Sequence, residues 1–535
     1  MDDGGSRFDV GANYRTSKMR QTRTQTQQTL GDWGISNVGD IGSVAPGVLQ
    51  EYCLVCKFDN FDAKGQGATL TAFQGSAVDL YNALSPYYAQ RGNAIGITQQ
   101  EDNRVKEDIW SAYGQLTWKG ELAGRPASLV VGARYERTKV RSTSLVAVPQ
   151  AINWVSDNDF TLVVSDEVQP VSDSGNYNNF LPAMDFQIEL AKNFIGRFSF
   201  SKTIARPDYG NLFVASSVGT PPRPIALGGF ATGSTGNARL SPLISDNLDL
   251  SFEWYYKPSS YISAGVFEKR VQNFVVTGQT TRNLFGLRDV SSGAAGSRSG
   301  TALAELKRLG ADPSDVNLFT MTALLQQQGN IDAASQQFQA NYSNGALSQA
   351  FIDQVLTEVD LTPDANDPLY DFEVTQPINN RQGKIWGFEL AAQHFFGNTG
   401  FGVSAAYTLV RGDVGIDVGA DPSEDQFALV GLSDTANATL IYDKNGLSAR
   451  LAYNWRDKFL QSANRGGGDR NPVFVRPFGQ LDLNISWDVS EQFAVSFEAI
   501  NLTESDIRTY GRDKSNLWYA QELDRRFLLG GRFRF

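Results

Sequence analysis

The stretch NNFLPAMDFQIELAKNFIGRFSFSKTIARPDYGNL, residues 178–212, sets the pattern for the whole chain. Phe180, Met184, Phe186, Ile188 and Leu190 alternate with Asp185, Gln187 and Glu189. An alternation of period two puts successive side chains on opposite faces of a strand. Full charges recur on the polar face, and a buried unpaired charge is costly. The polar face therefore reads as the lining of a water-filled or protein-plugged lumen, and the apolar face as one that meets lipid. After the short break AKN, a second alternating run begins at residue 194.

The same rhythm recurs in NLDLSFEWYY, LSARLAYNWR and LDLNISWD. About fourteen such segments are expected, at 6–19, 107–122, 126–143, 178–191, 194–206, 245–257, 260–275, 383–396, 401–412, 434–443, 446–459, 478–489, 492–502 and 525–535. Each is near the 9–11 residues of a tilted membrane strand. Short connections (ELAGRP, AKN, KPSS, FGNTG, DKNG, VSEQ) alternate with long ones (20–106, 144–177, 207–244, 276–382). Tight turns at one rim and long loops at the other are what an antiparallel transmembrane β-barrel requires, so the fold class is all-β.

Composition agrees. Gly, Phe and Tyr are abundant and Met is scarce, which favours strands and turns. A net charge of −11 argues against a nucleic-acid partner. No run approaches the length of an apolar transmembrane helix. The start, MDDGGSRFDVGANYR, lacks the pattern of a secretory signal, so the true N-terminus of an envelope protein is expected to lie upstream.

Six of the nine Trp fall in the alternating segments: Trp110, Trp118, Trp254, Trp386, Trp455 and Trp487. All six are expected near segment ends on the apolar face, as a membrane-interface girdle, the alternative being ordinary core filler. The chain ends RRFLLGGRFRF (525–535), with Phe527, Leu529, Phe533 and Phe535 on one alternation and Arg526, Arg532 and Arg534 on the other. Inward arginines, among them Arg134, Arg197, Arg450, Arg532 and Arg534, could face a plug or pair across strands with Glu136 and Glu498.

The segment 178–212, together with SDNLDLSFEWYYKPSSYISAGVFEKRVQNFV (245–275), GKIWGFELAAQHFF (383–396) and FEAINLTESDIRTYG (497–511), resembles the barrel of TonB-dependent outer-membrane receptors, closest to the carbohydrate-uptake branch. The resemblance implies a 22-stranded barrel closed by an N-terminal plug, with TonB acting through that plug to admit a bound substrate. On that reading residues 1–535 are a partial barrel domain lacking the plug and first strands. The resemblance also makes Phe533 and Phe535 an assembly signal for the barrel-assembly machinery.

Catalysis finds little footing. The single histidine, His394, cannot form a metal-binding pair, and its place near a short turn on the outward face suits the girdle. Cys53 and Cys56 form a lone CxxC, open to a local disulfide, a redox motif or half a zinc site, with the disulfide favoured in an oxidising envelope. The acidic stretches 413–425 and 360–368 lack EF-hand spacing and read as solvated loop charge. Within 276–382, Asp312-Pro-Ser-Asp315 suggests a turn and helix cap, hence a helical lid or a packed insertion. Trp33, Trp154, Tyr209, Trp518 and Tyr519 are the loop aromatics expected to stack on a ligand.

The expectation is a non-enzymatic uptake receptor in the outer membrane of a Gram-negative bacterium, without cofactor or metal. Its substrate would be a small molecule or oligosaccharide, carbohydrate or siderophore-like. Its other partners would be outer-membrane lipid, the assembly machinery and TonB. The alternatives are a passive or structural barrel and a soluble adhesive β-protein.

Overall fold

The computed structural model describes residues 5–28, 30, 40–54, 56, 71–422, 424, 426–465 and 470–535. Fourteen antiparallel strands form one meander, each paired with the next: β1 (Gly5–Gln27), β2 (Gly96–Leu122), β3 (Arg125–Trp154), β4 (Phe160–Ala191), β5 (Phe194–Ala205), β6 (Leu243–Lys257), β7 (Ser260–Arg282), β8 (Phe372–Phe395), β9 (Phe401–Gly412), β10 (Thr435–Lys444), β11 (Leu447–Arg456), β12 (Phe478–Asp488), β13 (Phe493–Ile500) and β14 (Arg526–Phe533). Every expected segment is present as a strand. No ladder among the described residues joins β14 to β1, and all eight residues of β14 are exposed.

Register converts the alternation along each strand into two continuous faces. One row across β2 to β9 reads Trp118, Leu129, Phe186, Phe198, Leu250, Val266, Phe388, Leu409. The adjacent row, one residue along and on the other face, reads Lys119, Ser128, Gln187, Arg197, Ser251, Gly265, Glu389, Thr408. A slip of one residue in any strand would mix the two, so the hydrophobic pattern fixes the register.

The short rim uses tight turns whose residues tolerate positive φ. Ala123-Gly124 (φ 52° and 72°) joins β2 to β3, and Asn445-Gly446 (φ 57° and 73°) joins β10 to β11. Both central residues with φ > 0 are the mark of the two-residue hairpin turn that matches strand twist.

At the long rim several strands run well beyond the apolar band. The expected loop 144–177 is mostly strand: β3 continues to Trp154 and β4 starts at Phe160. Likewise β1 extends to Gln27, and β2 starts at Gly96. Trp110 and Trp386 therefore lie within strands rather than at strand ends, because the ladder outlasts the apolar face.

Between β7 and β8 the chain folds into α2 (Arg298–Leu309), α3 (Asp315–Gln328), α4 (Ile331–Asn341) and α5 (Gln349–Glu358), following α1 (Ala77–Ala89) earlier in the chain. Ser314 caps α3, its Oγ accepting from the Asn317 amide at 3.3 Å, and Gly310 ends α2 in the left-handed region. Residues 317–324 of α3 are all buried, so it is the central helix of a separate apolar core that includes Leu306, Phe338 and Val355.

Candidate functional site: the long-loop mouth

Three connections at the long rim are tied into one wall. The Asn464 side chain donates to the Gln426 carbonyl at 3.0 Å and accepts from its amide at 3.3 Å, fastening 413–434 to 457–477. Arg512, from 501–525, donates to Asn471 Oδ1 at 2.7 Å and to the Val418 carbonyl at 2.8 Å. A four-stranded sheet of Phe459–Ser462, Val473–Val475, Ile507–Tyr510 and Leu517–Gln521 stiffens this wall.

Between the wall and the inward faces of β7 and β8 lies an open cavity of about 610 Å³, with Gln279, Thr375, Arg381, Phe427, Arg465 and Arg470 on its sides. A second space of about 740 Å³ shares Gln279, Thr375 and Arg470 and extends to Phe230 and Glu373. Glu373 is the lone carboxylate among the described residues lining the two, against three guanidinium groups. The Arg465 guanidinium lies 4.1 Å from the centroid of the Trp518 ring, whose Nε1 donates to the Pro472 carbonyl at 3.3 Å. Trp518 thus serves as a floor for Arg465.

The other expected ligand aromatics are dispersed. Trp154 is fully buried at the end of β3, stacked on Phe160 at 5.8 Å and edge-on to Phe319 at 5.3 Å, so it packs the helical core and offers no face to a ligand. Tyr209 sits in the lumen, its hydroxyl donating to Glu107 Oε2 at 3.2 Å. Tyr519 is exposed and donates to Gln521. Trp33 lies outside the described residues. Sequence reasoning missed Arg381, Arg465 and Arg470, because arginines in polar segments carry no signal until the fold brings them to one cavity.

The inward arginines meet the cross-strand expectation only in part. Arg134 bonds Glu136 of its own strand at 3.0 Å, two residues on and so on the same face, and Arg206 reaches the same carboxylate. Arg197 pairs across strands with Glu253 at 3.1 Å. Glu498 takes a bond from Asn484, not from an arginine, and Arg532 lies 3.5 Å from Asp488. The stretch 360–368 is not merely self-repelling charge: Arg298 pairs with Asp364 at 3.1 Å and with buried Asp367 at 3.2 Å.

Trp118, Trp254 and Trp487 lie on the outward face toward the short-turn rim, and Trp110, Trp386 and Trp455 on the same face toward the long-loop rim. His394 joins the short-turn set, its Nδ1 2.9 Å from the Tyr256 hydroxyl. Phe533 opposes Phe493, and Phe533 and Phe535 are exposed and edge-on to each other. Cys53 and Cys56 are joined as a disulfide in the connection between β1 and β2.

A meander with one lipid-type face, one charged face and a loop-walled mouth at a single rim has the make-up of a transmembrane β-barrel wall. The family model for TonB-dependent receptor-like β-barrels matches residues 2–502, and the chain belongs to that family, whose members are transport receptors of Gram-negative outer membranes. Similar solved structures include the ferric-catecholate import receptor Fiu from E. coli K12, at 12% identity and TM-score 0.46, covering 82% of this chain and 46% of that one. The siderophore receptor PirA from Acinetobacter baumannii follows at 13% identity and TM-score 0.43, covering 83% and 57%. The copper transporter OprC stands at 14% identity and TM-score 0.42, covering 82% and 54%. The chain spans about half the length of these solved structures. No curated protein matches the sequence.

Proposed function

We propose that this chain is the barrel of an outer-membrane uptake receptor that takes a small anionic solute at its long-loop mouth, with energy for import delivered through TonB. The single observation that carries the reading is that Arg381, Arg465 and Arg470 line one open cavity whose described lining residues include no carboxylate. Guanidinium groups suit carboxylate, phosphate or catecholate oxygens, so a siderophore-like chelate fits this chemistry better than a neutral carbohydrate. The two rows of outward Trp would sit at the lipid interfaces, and Phe533 and Phe535 would be read by the assembly machinery.

Binding to the detergent-solubilised chain tests this. Arg381→Ala should weaken an anionic ferric chelate roughly ten-fold, the worth of about 1.4 kcal/mol, and leave neutral oligosaccharide binding unchanged. An oligosaccharide that binds while the chelate does not would overturn the choice of solute.

A further inference from the structure

Beside the arginine cavity, the space of about 740 Å³ holds a carboxylate that an anionic solute leaves without a role. One side of this space is a ribbon from the connection between β5 and β6. Its strand Ser216–Val218 pairs antiparallel with Ala231–Thr235, and Ala231–Ser234 runs parallel to the outer part of β8, Phe372–Thr375. On its other edge the same part of β8 pairs with Gln279–Arg282 of β7. Residues 372–375 are thus held from both sides, and Thr375 Oγ1 donates to the Gly233 carbonyl at 3.2 Å.

Alternation decides what this rigid segment presents. Phe372 and Val374 are fully buried in an apolar cluster with Ile152, Val218 and Ala231, so Glu373 and Thr375 turn to the opposite side and line the space. Glu373 is exposed and has no ion pair or side-chain hydrogen bond among the described residues. Register supplies the reason: directly opposite it stand Thr281 on β7 and Thr232 on the ribbon, neither of them a cation. Other inward carboxylates are committed, Glu136 to Arg134 and Arg206, and Glu253 to Arg197.

An aromatic face completes the site. Phe230, half-exposed, lines the same space as Glu373. A carboxylate without a partner attracts an ammonium group through a charge-assisted hydrogen bond, and an aromatic face attracts it through the ring quadrupole. Gln279, Thr375 and Arg470 line both this space and the arginine cavity, so the two adjoin. Glu373 lies two residues from Thr375, about 7 Å along the strand. One solute can therefore reach both.

We propose that the mouth takes a dipolar solute, with Glu373 and Phe230 receiving an ammonium group of the molecule whose anionic part lies among Arg381, Arg465 and Arg470. The inference rests on the anionic-solute reading of the same mouth. Glu373 is then a specificity-determining residue in both directions. It attracts a solute that carries an amine, and its unpaired charge repels one that is anionic throughout.

The test compares two probes on the detergent-solubilised full chain by titration calorimetry: an iron(III) tris-catecholate complex carrying one free 4-aminobutyl arm, and the same complex with that amine acetylated. The native chain should bind the free amine about ten-fold more tightly than the acetylated complex. Glu373→Gln should abolish this preference while binding the acetylated complex at least as tightly as the native chain does, which shows that the mouth is still folded. Arg381→Ala should weaken both complexes alike and keep the preference. Equal affinity of the native chain for the two complexes, or a preference that survives in Glu373→Gln, would overturn the dipolar assignment and leave the anionic reading standing. Binding of neither complex to the native chain would overturn the anionic reading, and this inference with it.

Discussion

Trp154 and Leu361 exchange both backbone hydrogen bonds, at 2.9 and 2.8 Å, although one ends β3 and the other follows the last loop helix, α5. This two-residue ladder docks the helical insertion onto the β3–β4 hairpin, and the fully buried Trp154 ring anchors it. Trp154→Ala should destabilise the insertion by about 3–5 kcal/mol, the usual cost of deleting a buried aromatic. Hydrogen exchange should show faster opening across 298–361 with the strands β5–β14 unchanged. Uniform loss of protection over the whole chain would contradict a separate helical unit.

A pH dependence is built into the same insertion. Burial raises the Asp289 carboxyl to about 6, with Asp367 adding repulsion, while the Ser291 hydroxyl and amide both donate to its Oδ1 at 2.9 Å and so favour the charged form. Because the folded value exceeds that of the unfolded chain, stability from the neutral acid is fully present below about pH 4 and is lost as pH rises through about 6. The change should be on the order of 2–3 kcal/mol. Limited proteolysis of 283–371 should accelerate between pH 4 and 7 in the native chain, and Asp289→Asn should flatten the profile.

Gly387, within the motif 383–396, is held by a close approach. A Cβ there would meet the Leu409 carbonyl oxygen at 2.0 Å and the Phe267 ring at 2.7 Å. Gly387→Ala must therefore push β8 away from β9, at a cost of about 1–3 kcal/mol. A lower melting temperature, with faster amide exchange concentrated in 385–412, is the expected result.

On the proposed reading of the mouth, Trp518 acts through Arg465, whose guanidinium lies over its ring. Trp518→Ala removes a cation–π contact worth about 0.5–2 kcal/mol, so affinity for the anionic solute should fall between about two-fold and thirty-fold. Trp518→Phe should recover most of it. If the alanine variant binds as the native chain does, the positioning role fails.

Within the apolar band the sequence alone determined the strands, their order and their two faces, because lipid on one side and water on the other force an alternation that neighbouring residues reveal without tertiary contacts. Phe186 and Gln187 announce their faces in this way, and Asn445-Gly446 announces its turn. Beyond the band that constraint lapses. Both faces of the outer parts of β3 and β4 can meet water or loop, so their pairing up to Trp154 and Phe160 left no clear alternation, and the stretch read as a loop. Trp154 looked like an exposed aromatic because the helices that bury it lie far along the chain. Only the tertiary structure could bring Arg381, Arg465 and Arg470 to one cavity, since that depends on register and loop packing between segments that are distant in sequence.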